Sequence, residues 1–126
     1  MKVLQVIEQA FRATGEEQDD TIVWLSRSMR GAGADLHILL TSHAVSYALA
    51  KAGSPALSFG DWRQAHPADI RNDIRELLAS GVEITVVQDD LEERGLGAKQ
   101  CLQGIRQICR DEIATLYDSV DQVWQW

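Results

Sequence analysis

The sequence predicts one α/β domain, a three-layer α/β/α sandwich around a mostly parallel five-stranded sheet. Three observations predict it. Short apolar runs alternate with amphipathic helical segments along the chain, which is the signature of a sheet covered on both faces. The runs are continuous rather than alternating, as expected of strands buried on both sides. The length of 126 residues suits a single domain, 1–126, with a core of its own.

The first strand is Lys2–Ile7, a short apolar run. The polar segment after it prepares a helix. Thr14 is the expected cap, and Glu16, Glu17, Asp19 and Asp20 suit the positive end of a helix dipole. Ile22, Leu25 and Met29 then recur at helical spacing, flanked by Val23, and Gly31 and Gly33 end the helix. Leu36–Leu40 is the second strand. Ser42 is placed to cap a short helix through Val45, Leu49 and Ala50 that stops at Gly53.

Residues Ser54 to Pro67 hold both prolines, Gly60, Phe59, Trp62 and His66, and read as a long loop with a short strand at Ala56 to Phe59. Ala68 to Ser80 is a helix with Ile70, Ile74, Leu77 and Leu78 on one face, ended by Gly81. Glu83–Val87 is the third strand, rich in β-branched residues, and Gln88-Asp89-Asp90 ends it. Leu91 to Arg94 is a helical turn stopped by Gly95 and Gly97. Ile105 to Cys109 is the fourth strand. Asp111 to Val120 is a helix with Ile113, Leu116 and Tyr117 inward, and Gln122 to Trp126 is the terminal strand.

Composition narrows the function. Hydrophobic residues make up 45% and charged residues 25%, as in an ordinary globular protein rather than a disordered one. The net charge of −7 repels phosphate backbones, so no nucleic acid partner is expected. No run of about 18 apolar residues is present, so no membrane span is expected. The apolar run at the start is too short for a secretion signal, and the expected location is the cytoplasm. Cys101 and Cys109 are two thiols, too few for a disulfide-built fold, and are expected to be free.

In a sheet of this class ligands sit beyond the C-terminal strand ends. That rule selects Glu8-Gln9, Thr41-Ser42-His43, Gln88-Asp89-Asp90 and Cys109-Arg110. No glycine-rich phosphate loop follows a strand, and Gly31-Ala32-Gly33 follows a helix. The three histidines and two cysteines lack metal-ligand spacing, so no metal and no cofactor is expected. His37 lies inside an apolar strand, as a hydrogen-bonded core residue would. His43 stands at a strand end, as a site residue would, although no nucleophile or second carboxylate is placed to make it a catalytic base. Trp124 and Trp126 share one face of the last strand and suit a core or a subunit interface.

Several segments carry a family likeness. Met1 to Ile7 opens the chain, Ser42-His43-Ala44-Val45 follows the second strand, and Leu77 to Val87 joins a helix through Gly81-Val82 to a strand. Arg94-Gly95-Leu96 and Asp121 to Trp126 complete the set. Together they resemble the DsrE/DsrF/TusD-like sulfur-relay family (DsrE-like) over nearly the whole chain. The resemblance implies an α/β/α fold and assembly into homo- or hetero-oligomers, trimers and hexamers among them, with sulfur-carrier proteins as partners. It also implies a persulfide-accepting cysteine at the end of the third strand, seven residues before the arginine of Arg-Gly. Counting back from Arg94 reaches Val87, so the usual acceptor is missing.

Two expectations follow. The chain is either a non-catalytic or atypical member, or a sulfurtransferase-like protein in which Cys101 has become the acceptor with Arg94 and His43 in support. From another class, it is a ligand- or protein-binding module with a pocket around Glu8, His43, Gln88, Asp89 and Arg94 and the Ser54–Pro67 loop.

Overall fold

A computed structural model of the chain describes residues 1–10, 20–51 and 56–126. Thr14, Glu16, Glu17 and Asp19, expected at the first helix start, lie outside these residues, as do the expected stop at Gly53 and the loop's first residue, Ser54.

Strand β1 (Lys2–Ile7) leads to α1 (Thr21–Gly31), whose cap is Asp20. The Asp20 carboxylate accepts the Ile22 and Val23 N–H groups and the Tyr47 hydroxyl, so one buried side chain ties the helix start to the core. The buried stripe of α1 is Ile22, Val23 and Ser26, with Leu25 only half-buried. Ser26 takes an inward place because Gln5 of β1 needs a partner there. Gln5 is fully buried, donates to Ser26 Oγ (2.9 Å) and accepts from the Trp126 indole (2.7 Å).

Strand β2 (Asp35–Leu40) runs into a 3₁₀ segment, Ser42–Ala48. Ser42 is the first residue of this segment rather than its cap, and Thr41 precedes it without a side-chain capping bond. The expected strand at residues 56–59 is half of a two-residue hairpin, β3 (Ser58–Phe59) with β4 (Trp62–Arg63), outside the main sheet. Helix α2 (Ile70–Ala79) is capped by Asp69 and buries Ile70, Ile74 and Leu77. Its buried Asp73 bonds Arg27 of α1 at 2.9 Å.

Strand β5 (Glu83–Val87) matches its expected bounds, and the helix expected from Leu91 starts three residues early. Helix α3 (Gln88–Glu93) begins at the next residue and takes in Gln88, Asp89 and Asp90. Strand β6 (Arg106–Ile108) is shorter than expected. The helix after it begins as a 3₁₀ turn, Arg110–Glu112, and continues as α4 (Ile113–Asp118) before β7 (Gln122–Gln125). Six residues give fewer than two turns, so α4 buries one narrow stripe. Ile113 and Leu116 are half-buried, and Tyr117, expected inward, is 37% exposed.

The five main strands run in the order β6-β5-β2-β1-β7 with every pairing parallel. The chain winds outward from β1 through β2 and β5 to β6, then returns to the far side of β1. One sheet face carries a large core under α1, α2 and the 3₁₀ segment, including Ile38, Leu40, Ile74, Ile84 and Tyr47. The other carries a small cluster, Leu4, Val6, Leu39, Val87 and Ile108, backed by Ile113, Leu116 and Val120. Among the described residues no helix is long and apolar enough to cross a membrane.

Candidate functional site

The winding reverses beside β1, so the C-terminal ends of β1 and β2 are not roofed by a following helix on the thinly covered face. A cleft of about 470 Å³ opens there. All four strand-end neighbourhoods that the topology rule selects contribute to it or touch its walls.

The wall on the β5 side is an ion network. Asp90 of α3 accepts the Ser42 backbone N–H at 2.8 Å and the Arg110 guanidinium at 2.6 Å. The same Arg110 Nη2 donates to Glu93 at 2.8 Å, and the Arg110 backbone N–H donates to Asp89 at 2.9 Å. Arg94 donates to the Asp90 carbonyl at 3.1 Å. Burial works against ionising Asp90, but the Ser42 N–H and the Arg110 and Arg94 charges outweigh it and hold the carboxyl below its ordinary range. Glu93 and Asp90 in turn hold Arg110 protonated.

Ser42 has φ of 50°, the left-handed region that a residue with a Cβ seldom occupies. The surrounding bonds fix it there. Asp90 takes its N–H, Thr41 N–H donates to the Ile7 carbonyl, and Ala44 N–H donates to those of Glu8 and Thr41. Strain of this kind costs on the order of 1–3 kcal/mol and persists only where neighbours over-determine it. Beside it, the Thr41 hydroxyl is buried with no hydrogen-bond partner among the described residues.

The opposite wall is Glu8, whose carboxylate accepts from the Gln125 amide at 2.6 Å. Val6 and Leu39 form an apolar floor, and Ile113 and Tyr117 of α4 close the remaining side.

Of the residues singled out from sequence, Glu8 and Arg94 line this cleft. Asp89 stands behind it, holding the Arg110 backbone, and Gln88 is turned to Glu92 at 2.9 Å. His43 is exposed outside the lining, and neither the β3–β4 hairpin nor His66 reaches it. Thr41, Ser42, Asp90 and Arg110 do line it, and the strand-end rule had marked all four. Glu93, Ile113 and Tyr117 carried no such mark, because only the return of the chain through α4 brings Ile113 and Tyr117 to this edge.

Neither thiol is in the cleft. Cys101 is half-buried, forms a bridge with Leu49 and packs against the larger core, and burial pushes its pKa up. Cys109 is exposed beside Glu112, Asp111 and Asp89. Local desolvation and these carboxylates push its pKa up as well. The Cys109 sulfur and the Asp111 and Glu112 carboxylates lie within 4.8 Å of one another, an exposed trio in which Glu112 already accepts the Cys109 N–H. Val87, at the strand tip, is fully buried among Leu4, Val6, Leu39 and Ile108.

No protein-family model matches the chain, and no curated protein matches it in sequence. Solved structures do match. The ychN protein from E. coli superposes with a TM-score of 0.74 at 19% identity, over 99% of this chain and 98% of that one. A protein of unknown function, MTH1491 from Methanobacterium thermoautotrophicum, gives a TM-score of 0.67 at 11% identity, over 99% and 98% of the two chains. The likeness establishes the fold. The flanked parallel five-stranded sheet expected from sequence is the arrangement found, and it is shared end to end with both proteins.

Proposed function

We propose that this chain is a DsrE-like protein of sulfur-transfer metabolism that acts by binding through the strand-end cleft, not by carrying sulfur itself. One observation carries the reading: the cleft holds no thiol, and the strand tip that the family resemblance assigns to the acceptor is a sealed valine, Val87. Persulfide transfer needs a thiolate that attacks the sulfane sulfur of a donor and expels the donor's thiolate. Both thiols present have raised pKa values, and neither lines the cleft. The exposed aromatics Trp24, Phe59, Trp62 and Trp124 fit the oligomeric assembly that the resemblance implies.

The test is kinetic. The folded protein is treated with a low-molecular-weight persulfide donor at neutral pH, and adducts are mapped by mass spectrometry against free cysteine under the same conditions. Cys101 and Cys109 should each gain sulfur more slowly than free cysteine. A rate above that of free cysteine at either thiol would restore a sulfur-carrying role.

A further inference from the structure

The charges of the cleft do not all cancel within it, and the imbalance describes a ligand. The charge of Arg110 is balanced by Asp90 and Glu93, both held through its Nη2. The second oxygen of Asp90 is taken by Ser42 N–H. Among the described residues, two charged groups remain under-used. Glu8 has an amide, Gln125, as its hydrogen-bond partner and no cation within ion-pair distance among the described residues. Arg94 commits one N–H to a backbone carbonyl and stands 3.9 Å from Glu93, leaving most of its five donors unspent among the described residues.

Glu8 leaves β1 and Arg94 follows α3, which grows from β5. In the sheet β2 lies between β1 and β5, so the two groups approach the cleft from opposite sides of the Thr41–Ser42 exit. The Thr41 hydroxyl between them is buried and has no partner among the described residues. An uncompensated carboxylate attracts an ammonium, and a guanidinium with free parallel donors suits a carboxylate. Ile113 and Tyr117 of α4, which line the cleft and are partly exposed, offer apolar surface to hydrocarbon beside the two poles.

We infer that the cleft takes a small zwitterion of the amino-acid type, one or two residues long, with its ammonium at Glu8 and its carboxylate at Arg94. The inference rests on the binding reading of the cleft given above and specifies what is bound.

Calorimetric titration of the full chain with L-leucine and L-leucylglycine, each beside its N-acetyl and its C-terminal amide form, tests it. At least one parent compound should bind, and blocking either terminus should weaken it tenfold or more. Glu8→Gln should erase the preference for a free ammonium, and Arg94→Met the preference for a free carboxylate, with the circular dichroism spectrum unchanged. Binding that ignores both terminal blocks, or no binding of either parent at millimolar concentration, overturns the inference. Slow thiols in the persulfide assay together with that result remove only the ligand class. Fast thiols remove the reading beneath it.

Discussion

The two faces of the sheet are built to different standards. Under α1, α2 and the 3₁₀ segment the packing is deep, and Ile38, Leu40, Ile74 and Tyr47 are fully buried. The α4 face has five buried apolar residues beneath a helix of six residues. His37 and Thr85 are buried on this face in a hydrogen bond of 2.8 Å. The contrast teaches that stability and site are divided. One face supplies the apolar burial that holds the fold. The other gives up burial for a cleft whose strained Ser42 and converging charges need a rigid backing.

Substitutions should separate the two. The largest effect is expected for Ile74→Ala, which empties a fully buried place in the deep core and should cost about 2–5 kcal/mol in urea unfolding. Ile113→Ala on the thin face should cost clearly less, because its side chain is only half-buried. Equal costs would break the division.

Asp90→Ala comes next. It leaves the Ser42 N–H and the Arg110 guanidinium without their carboxylate and should cost about 1–3 kcal/mol. Because the folded pKa of Asp90 is depressed, its contribution is complete above the ordinary value of 3.8 and is lost as pH falls through the folded value. A stability–pH series should therefore lose part of its acid slope in the mutant.

Val87→Cys sharpens the comparison chemically. The near-isosteric exchange should cost less than about 1.5 kcal/mol. The new thiol sits among Leu4, Val6, Leu39 and Ile108, so a thiol-specific reagent should label it more slowly than Cys101 or Cys109. Fast labelling would show that the strand tip opens into the cleft.

The smallest effect is expected at His37. Burial lowers its pKa, with Lys2 and Arg106 adding to the effect and Glu83 opposing it. The neutral ring is the native form, so its contribution is full above 6.5 and declines as pH falls from there towards the folded value. Thermal unfolding between pH 7 and 5 should show that decline in the native protein and a shallower one in His37→Gln. Identical slopes would mean that this ring does not titrate with folding.

Periodicity and apolar runs made most of the fold legible. Largely hydrophobic stretches fixed β1, β2 and β5 to within a residue, because strands covered on both faces are apolar at most positions and end where polar residues resume. Where a local signal competed with long-range packing, it lost. Gln88-Asp89-Asp90 ends β5 as expected, but the helix expected from Leu91 begins already at Gln88, with Asp90 held by Ser42 and Arg110. Ser26 replaces Leu25 in the buried stripe of α1 because Gln5 and Trp126 build a polar bridge behind it. The site was half legible. The strand-end rule marks Glu8, Thr41, Ser42, Asp90 and Arg110, but it equally marks His43, which the 3₁₀ segment leaves at the surface.

The sequence alone determined that this chain makes a parallel α/β/α sheet and that no cysteine stands at Val87, since both follow from residue type and order along the chain. Only the tertiary structure decided which strand ends share a cleft. That outcome depends on the chain returning from β6 beneath the sheet to pair β7 with β1. This crossover brings Arg110 opposite Asp90 and Tyr117 to the same edge, contacts set by long-range packing that no local pattern encodes.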